Sequence, residues 1–599
     1  MSNITTKYFS EKISRAILNE MANGVYYYAI GRCSPWSDEN NPDTAYETTQ
    51  SINEFKRGLV AGKRLKSGDA VNLINKYAWG SGNTYSQYDD TDTTLLDKQF
   101  YVINSSNAVY KCLFNNANTS STSEPTLVQN AVFQTADGYV WKYMYTMSAA
   151  NGAKFATTSY MPVEANATVS TAAVNGSIDV VFITNPGIGY TGYVTGSIAQ
   201  VVSNTLFRVT STSALSVDSF YYNSSAFYIY NGTGEGQLTN ISNYVVNGSG
   251  KFVYTEDALN SPVLDSTSEF RIAPQIKITG DGSGAKAICT VNATTYALNT
   301  IDVVSPGSNY SYANVEIIAN PTYGSNAVAR AIIPPFGGHG YDAAAELGAK
   351  RMGFSVYFNN SESSSISTEV SIRQGGIIAT PQKYSKPAFA NVNFNANTSV
   401  SNTNDTIAFT NANTYYRYGD KVLYTVDAGN TAVSGLANNT YYYIAAANST
   451  TIKLASSLDG ATINLTSGST ENGHRIHTTN TYSTNTFNAL TTLTVTTGLN
   501  TFTNNEIITG STSDAEARVG FANSTVLKVN MIRGNFIANS TYGETIVGST
   551  SGVSATIDTN GINNPDIEPF NFRVLHIDNI EYIQRSNTDN EQGYLIITI

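Results

Sequence analysis

The sequence predicts an α+β core of mostly β character, with all-β, sandwich- or barrel-like modules inserted into it. Three observations predict this. Tyr alone contributes 40 of the 599 residues, and the polar remainder is mostly Asn, Thr, Ser and Gly; Thr and Tyr favour strands, Asn and Gly favour turns. Helical periodicity is confined to the first part of the chain and one later block. The rest alternates strand patterns with Gly and Asn turns and carries internal repeats.

The bulk numbers exclude several classes. A chain of this length needs more than one core. Its formal net charge is −11, which disfavours nucleic acid, whose phosphates need a basic face. With 41% hydrophobic residues it is not disordered. Cys33, Cys112 and Cys289 are too few and scattered for a disulfide framework or zinc site. The stretch "MSNITTKYFSEKISR" lacks the apolar segment of a signal peptide, and no apolar run reaches membrane-spanning length. Synthesis in a reducing cytoplasm, without membrane insertion, is the expectation. The many N-x-S/T triplets then reflect composition rather than glycosylation.

The elements follow in order. Phe9, Ile13, Ile17 and Met21 recur every four residues, and Gly24 follows as a stop: a first helix. "VYYYAIGR" is a strand. "SINEFKRGLVAGKRLK" is a second helix candidate with Ile52, Phe55 and Leu59 on one face. "FYVINSS", "AVYKCLF" and "YVWKYMYTM" are three strands of one sheet. In the last, Tyr139, Trp141, Tyr143 and Tyr145 should share one face and Val140 and Met144 the other. Apolar groups on both faces predict a strand covered on both sides: core on one, a helix or second subunit on the other. Residues 1–165 are the first part of the core.

Residues 166–339 form the first inserted region. "IDVVFITNPGIGY" from Ile178 is echoed by "IDVVSPGSNY" from Ile301; in both, a strand enters a Pro-Gly turn and a Tyr follows the Pro by four. "QIKITGDGSGAKAICTV" and "VEIIANPTYGSNAVARAII" are companions of these, which implies a duplicated β-module. Residues 340–393 return to the core, with a short helix in "YDAAAELGAKR" beginning near Asp342 and strands in "GFSVYF" and "STEVSIRQGGIIA". Residues 394–565 are a second β-rich insertion containing a tighter repeat: "EIITGSTSDAEARV" from Glu506 and "ETIVGSTSGVSATI" from Glu544. Residues 566–599 supply C-terminal strands of the core.

Chemistry is sparse. The four histidines are His339, His474, His477 and His576. "HRIH" places His474 and His477 on opposite faces of a strand, a poor metal site. "GGHGYD" is expected to be a turn whose His339 is exposed or caps a helix. Asp89, Asp90 and Asp92 lack the calcium-loop pattern and are expected to be a solvated turn. A glycosidase would need two carboxylates at a fixed separation, and no local signature selects a pair. No enzyme, cofactor or metal is expected.

Several stretches together resemble one family. They are "YAIGRCSPWSDENNP", "YAWGSGNTYSQYDDTD", "AVYKCLF", "DGYVWKYMYTM", "GFSVYF" with "VSIRQGGIIATP", and "IEYIQRSNTDNEQGYLIITI". Their order and content are similar to the baseplate wedge subunit of T-even-type contractile-tailed phages, the eighth-gene-product family. The most specific matches are Gly31, Arg32, Pro35 and Trp36, and Asp137, Gly138, Tyr139 and Trp141, with Trp79 in support. In the family these motifs form the fold and are not catalytic. The two β-rich regions are not explained by its shorter pattern. The resemblance implies a homodimer that joins other wedge proteins in the virion tail baseplate and takes part in tail assembly and infection. The alternative is a receptor-binding or glycan-degrading tail protein that works through the β-modules. The insertions, poor in charge, would suit weak contacts with host glycans.

Overall fold

The computed structural model describes residues 7–210, 214–319, 323–362, 366–384, 391–409, 416–466, 472–496, 501–585 and 590–598. The protein is mostly β, 45% strand against 10% helix, so sheets rather than helices position everything that follows. The chain divides into two compact units, Met1–Glu11 with Leu73–Lys350 and Lys12–Asn72 with Arg351–Ile599. These boundaries differ from the sequence segmentation, which cuts at 165, 339, 393 and 565.

In the first unit, the three expected strands are Tyr101–Ile103, Ala108–Phe114 and Val140–Thr146, joined by Phe133–Gln134 into one antiparallel sheet. Tyr139, Trp141 and Tyr143 pack on one face with Tyr85, Tyr110 and Phe133. Tyr145 does not join them, contrary to strict alternation. The register with the neighbouring strand shifts, so that Val109 faces Tyr145 and Tyr110 faces Tyr143. This bulge turns Tyr145 into the opposite cluster beside Met144, where its hydroxyl donates to Pro162 O at 2.9 Å.

Farther along, six strands between Val194 and Ala273 close into a barrel around Phe207, Phe227, Tyr244 and Phe270. The duplicated module is a pair of matching hairpin-like ladders. Val181–Ile188 pairs with Ser325–Ala331, and Leu298–Ser308 pairs with Ser283–Val291. In the first ladder Pro186 faces Ala327; in the second Pro306 faces Ala285. Gly187 and Gly307 adopt φ of +65° and +63°. The ring of Tyr190 lies over Gly324 and that of Tyr310 over Gly282, where a Cβ would come within 2.2 and 2.5 Å of it. The repeat seen in sequence is therefore a repeat of packing, each Tyr filling the space one Gly leaves.

The second unit is built on a five-stranded antiparallel sheet. Its order is Thr486–Asn488, Leu59–Arg64, Tyr26–Gly31, Ser371–Ala379, Arg573–Gln584. Tyr26–Gly31 is buried at all six positions. Tyr26, Tyr28 and Ile30 enter one hydrophobic cluster and Tyr27 and Ala29 another, as a strand covered on both faces requires. The helix Thr49–Gly58 covers the second face with Phe55; Thr48 caps it by accepting from Ser51 N at 3.1 Å. It is shorter than the sequence pattern suggests. Gly58 packs so closely on Arg32 O that a Cβ would sit 1.8 Å away, and Leu59–Arg64 continues as a strand. The first helix, Lys7–Asn23, buries Met21 but leaves Phe9 56% exposed, so the apolar stripe is used only toward its C-terminal end.

Arg351–Phe358 pairs over its full length with the C-terminal Glu591–Thr598. Residues 391–478 contribute a seven-stranded sheet with its own core around Val422, Tyr424 and Ile476. Thr491–Asn563 closes into a second six-stranded barrel. The stretch read as a second insertion is tied into this unit, because Thr486–Asn488 is an edge strand of the five-stranded sheet and Phe487 is fully buried beside Tyr27.

Candidate functional site

The motif residues of the first resembling stretch meet at a cleft of about 640 Å³ in the second unit. Its floor is the end of Tyr26–Gly31. There the register breaks between Ile30 and Gly31, and the chain turns out through Arg32 to Trp36. A Cβ on Gly31 would meet the Phe55 ring at 3.0 Å, a tight contact. Arg32 is 3% exposed and tied to the second barrel: Nη1 donates to Val519 O at 2.6 Å and Nη2 to Asn505 Oδ1 at 2.7 Å. Burial lowers its pKa to about 10, with Arg518 and Arg373 adding to the effect; it remains a cation at neutral pH. Trp36 donates from Nε1 to Ile580 O at 3.1 Å. Cys33 lines the cleft with a thiol pushed up to about 11, chiefly by burial, which makes it a poor nucleophile.

The far wall comes from distant sequence. Gln374 is 5% exposed; its Nε2 donates to Asn579 Oδ1 at 3.0 Å, while its Oε1 accepts no hydrogen bond. Asn579 in turn donates to Asp43 O at 2.8 Å. Arg57 and Arg518 reach the cleft from the helix Thr49–Gly58 and the second barrel. The preceding residue, Arg373, is committed elsewhere. It forms a two-pronged pair with Glu39, at 2.9 and 2.8 Å, and stacks 4.7 Å from the Tyr582 ring centre. Hydrogen bonding from Arg373 holds the Glu39 carboxyl below its usual range.

The other motif residues form a separate knot in the first unit. The Asp137 carboxylate accepts from Ser121 Oγ at 2.9 Å, Thr122 N at 2.7 Å, Ser123 N at 2.9 Å and Thr135 Oγ1 at 2.5 Å. Burial pushes that carboxyl up, and these donors more than offset it, so its pKa is lowered. Gly138 takes φ of +82°, which the Asp-Gly turn needs. Trp79 donates to Ser121 Oγ at 3.1 Å, and Tyr139 stacks on Trp141 at 5.5 Å. The knot fastens a loop to a sheet and leaves the carboxylate fully occupied.

Two sequence expectations are corrected here. His339 is neither exposed nor a cap. It is 4% exposed, and its Nδ1 lies 2.9 Å from Lys111 Nζ, which also donates to Glu346 Oε2 at 2.8 Å and sits 4.1 Å from the Tyr88 ring centre. Burial drives the His339 pKa well down, and Lys111 and Lys142 drive it further, so the ring is neutral. Glu346 closes the set by accepting from Gly340 N at 2.8 Å. The acidic turn, too, is paired rather than merely solvated: Arg330 bridges Asp89 and Asp90 at 2.7 and 2.6 Å, and Lys98 holds Asp92 at 2.6 Å.

Sequence reasoning missed Arg57, Arg518 and Gln374. No spacing signal links them, since they converge only once the sheet and the second barrel are assembled. Among the described residues no group of three His, Cys, Asp or Glu is placed to hold a metal ion, and no helix is long and apolar enough to cross a membrane.

No protein-family model matches the chain, and no curated protein matches it. Among solved structures, the chain is similar to one described as "Virion of native gene transfer agent (GTA) particle", with 11% identity over 42% of this chain and 80% of that one. The TM-score is 0.14, a likeness too low to establish a shared fold.

Proposed function

We propose that the chain is a structural, non-enzymatic virion protein, and more specifically a homodimeric subunit of the baseplate wedge of a contractile phage tail. One observation carries the reading. The resembling segments around 28–42, 371–381 and 580–599 are hundreds of residues apart in sequence. Strands from all three stand side by side in one sheet, with Tyr26–Gly31 against Ser371–Ala379 and the latter against Arg573–Gln584. Gly31 and Arg32 stand at the end of that frame, and Asp137 to Trp141 belong to the knot of the first unit.

The titratable groups with shifted pKa values support the non-enzymatic part. Such groups gather at active sites when left facing a cavity. Here Lys111 with His339, and Asp137, are occupied by partners inside the fold, while of the shifted groups on the cleft lining Arg32 is bonded to Val519 and Asn505 and the raised Cys33 thiol is a poor nucleophile. Light scattering on the purified protein tests the proposal. A mass twice the 64.3 kDa of one chain is expected. An SDS-resistant trimer would instead mark a receptor-binding fibre or spike.

A further inference from the structure

We propose that the cleft at Arg32–Trp36 is a docking site for an extended acidic peptide segment of a neighbouring protein. The chain as a whole is acidic, yet Arg32, Arg57 and Arg518 face only Asp43 and Glu54 around this cavity. Arg32 is consumed by Val519 and Asn505. Arg57 and Arg518 are exposed, and among the described residues neither guanidinium makes a hydrogen bond or ion pair. Two uncommitted guanidinium groups at one opening favour carboxylates, which they bind in a forked, two-bond geometry.

Size and the aromatic rim narrow the ligand class. A peptide presents several carboxylates along one chain to the separate arginines, which a single inorganic anion does not. Trp36 and Tyr46, the latter 70% exposed, add aromatic surface of the kind that anchors peptides. The volume, about 640 Å³, lies within the range of ligand-binding clefts.

This inference deepens the proposed function by giving a partner's chemistry, and rests on it only for where the peptide comes from. The test uses the full-length protein and a fluorescein-labelled, amidated hexapeptide of alternating Asp and Ala, with the Asn-Ala hexapeptide as control. Fluorescence anisotropy should show the Asp peptide binding at least tenfold more tightly. That preference should be lost in Arg57→Glu/Arg518→Glu and reduced at least threefold in Arg57→Ala, a change at an exposed helix position that leaves the fold intact. Equal binding of the two peptides, or an Asp-peptide affinity unchanged in Arg57→Ala, overturns the proposal. So does glutarate that displaces the peptide at equal concentration, since a small dicarboxylate would then be the ligand. The subunit mass of the same sample separates the two readings. A monomer that binds the peptide removes the wedge dimer and keeps the cleft, whereas a dimer that does not bind removes the cleft alone.

Discussion

At the residue scale, the second barrel shows how a short repeat becomes a reciprocal lock. Glu544 accepts from Thr512 N at 3.1 Å and from Ser513 N at 3.0 Å, in the loop of the first copy. Glu506 accepts from Thr550 N at 3.0 Å and Ser551 N at 2.9 Å, in the loop of the second. Each carboxylate also takes the hydroxyl of the same serine at 2.8 Å. Gly510 and Gly548 are glycine because a Cβ would lie 2.6 Å from the opposing carboxylate oxygen. Burial pushes both carboxyls up, and the backbone and serine donors outweigh it, so both pKa values are lowered. A lowered folded-state pKa means the unfolded chain binds the proton more readily. The stabilisation is therefore complete above the unfolded value of about 4.3 and is lost as pH falls through the lower folded values. Glu506→Gln and Glu544→Gln should each cost about 1–3 kcal/mol at pH 7. In melts taken across pH, the double variant should show a shallower acid limb than the parent. An unchanged limb would mean the carboxylates do not hold the loops. The repeat offset was legible in sequence; that each Glu serves the other copy's loop was not, because the exchange exists only after the barrel closes.

At the element scale, alternation and turn chemistry marked the strands of the core and repeat segments but none of the six that close the barrel between Val194 and Ala273, and two other misses have local causes. The bulge opposite Val109 and Tyr110 moves Tyr145 across the sheet, and nothing in "YVWKYMYTM" announces an extra residue in a ladder. The helix in "SINEFKRGLVAGKRLK" ends at Gly58, whose carbonyl accepts from Arg32 N, more than twenty positions earlier, and the chain continues as a strand against Tyr26–Gly31. The duplicated ladders make a sharper prediction. Gly187 and Gly307 combine positive φ with a Cβ position 2.6 and 2.4 Å from backbone nitrogen of Ala327 and Ala285. Gly187→Ala and Gly307→Ala should each destabilise the first unit by about 1–3 kcal/mol. The two should have similar effects in urea unfolding, since the surroundings match. A neutral result at either position would show that the ladders are not equivalent.

At the scale of the whole molecule, the mostly β fold was legible, because composition and punctuation act over the entire chain. Which β-rich stretches are separable was not, since that depends on a few residues that cross between them. The strand Thr486–Asn488 and buried Phe487 belong to the five-stranded sheet, whereas the core of the second barrel comes from its own residues, with Leu493, Ile508, Leu527 and Ile557 inside. Thr492 pairs with Asn563, so the barrel leaves and re-enters the chain at adjacent points. Replacing residues 491–563 with a short Gly/Ser linker should leave a folded protein of lower melting temperature, which loses the Arg32 and Asn530 ties. Replacing 396–562 removes Phe487 as well and should abolish cooperative melting. Circular dichroism of the two deletions distinguishes them, and equal behaviour would contradict this division.

The central claim is that the chain is built to be held in an assembly rather than to turn over a substrate. A reconstruction of tail particles assembled with this protein tests it most directly. The account predicts two copies related by a twofold axis in each baseplate wedge, with density from a neighbouring subunit in the Arg32–Trp36 cleft. Finding the chain as a trimer at a fibre tip, or absent from the particle, would contradict it.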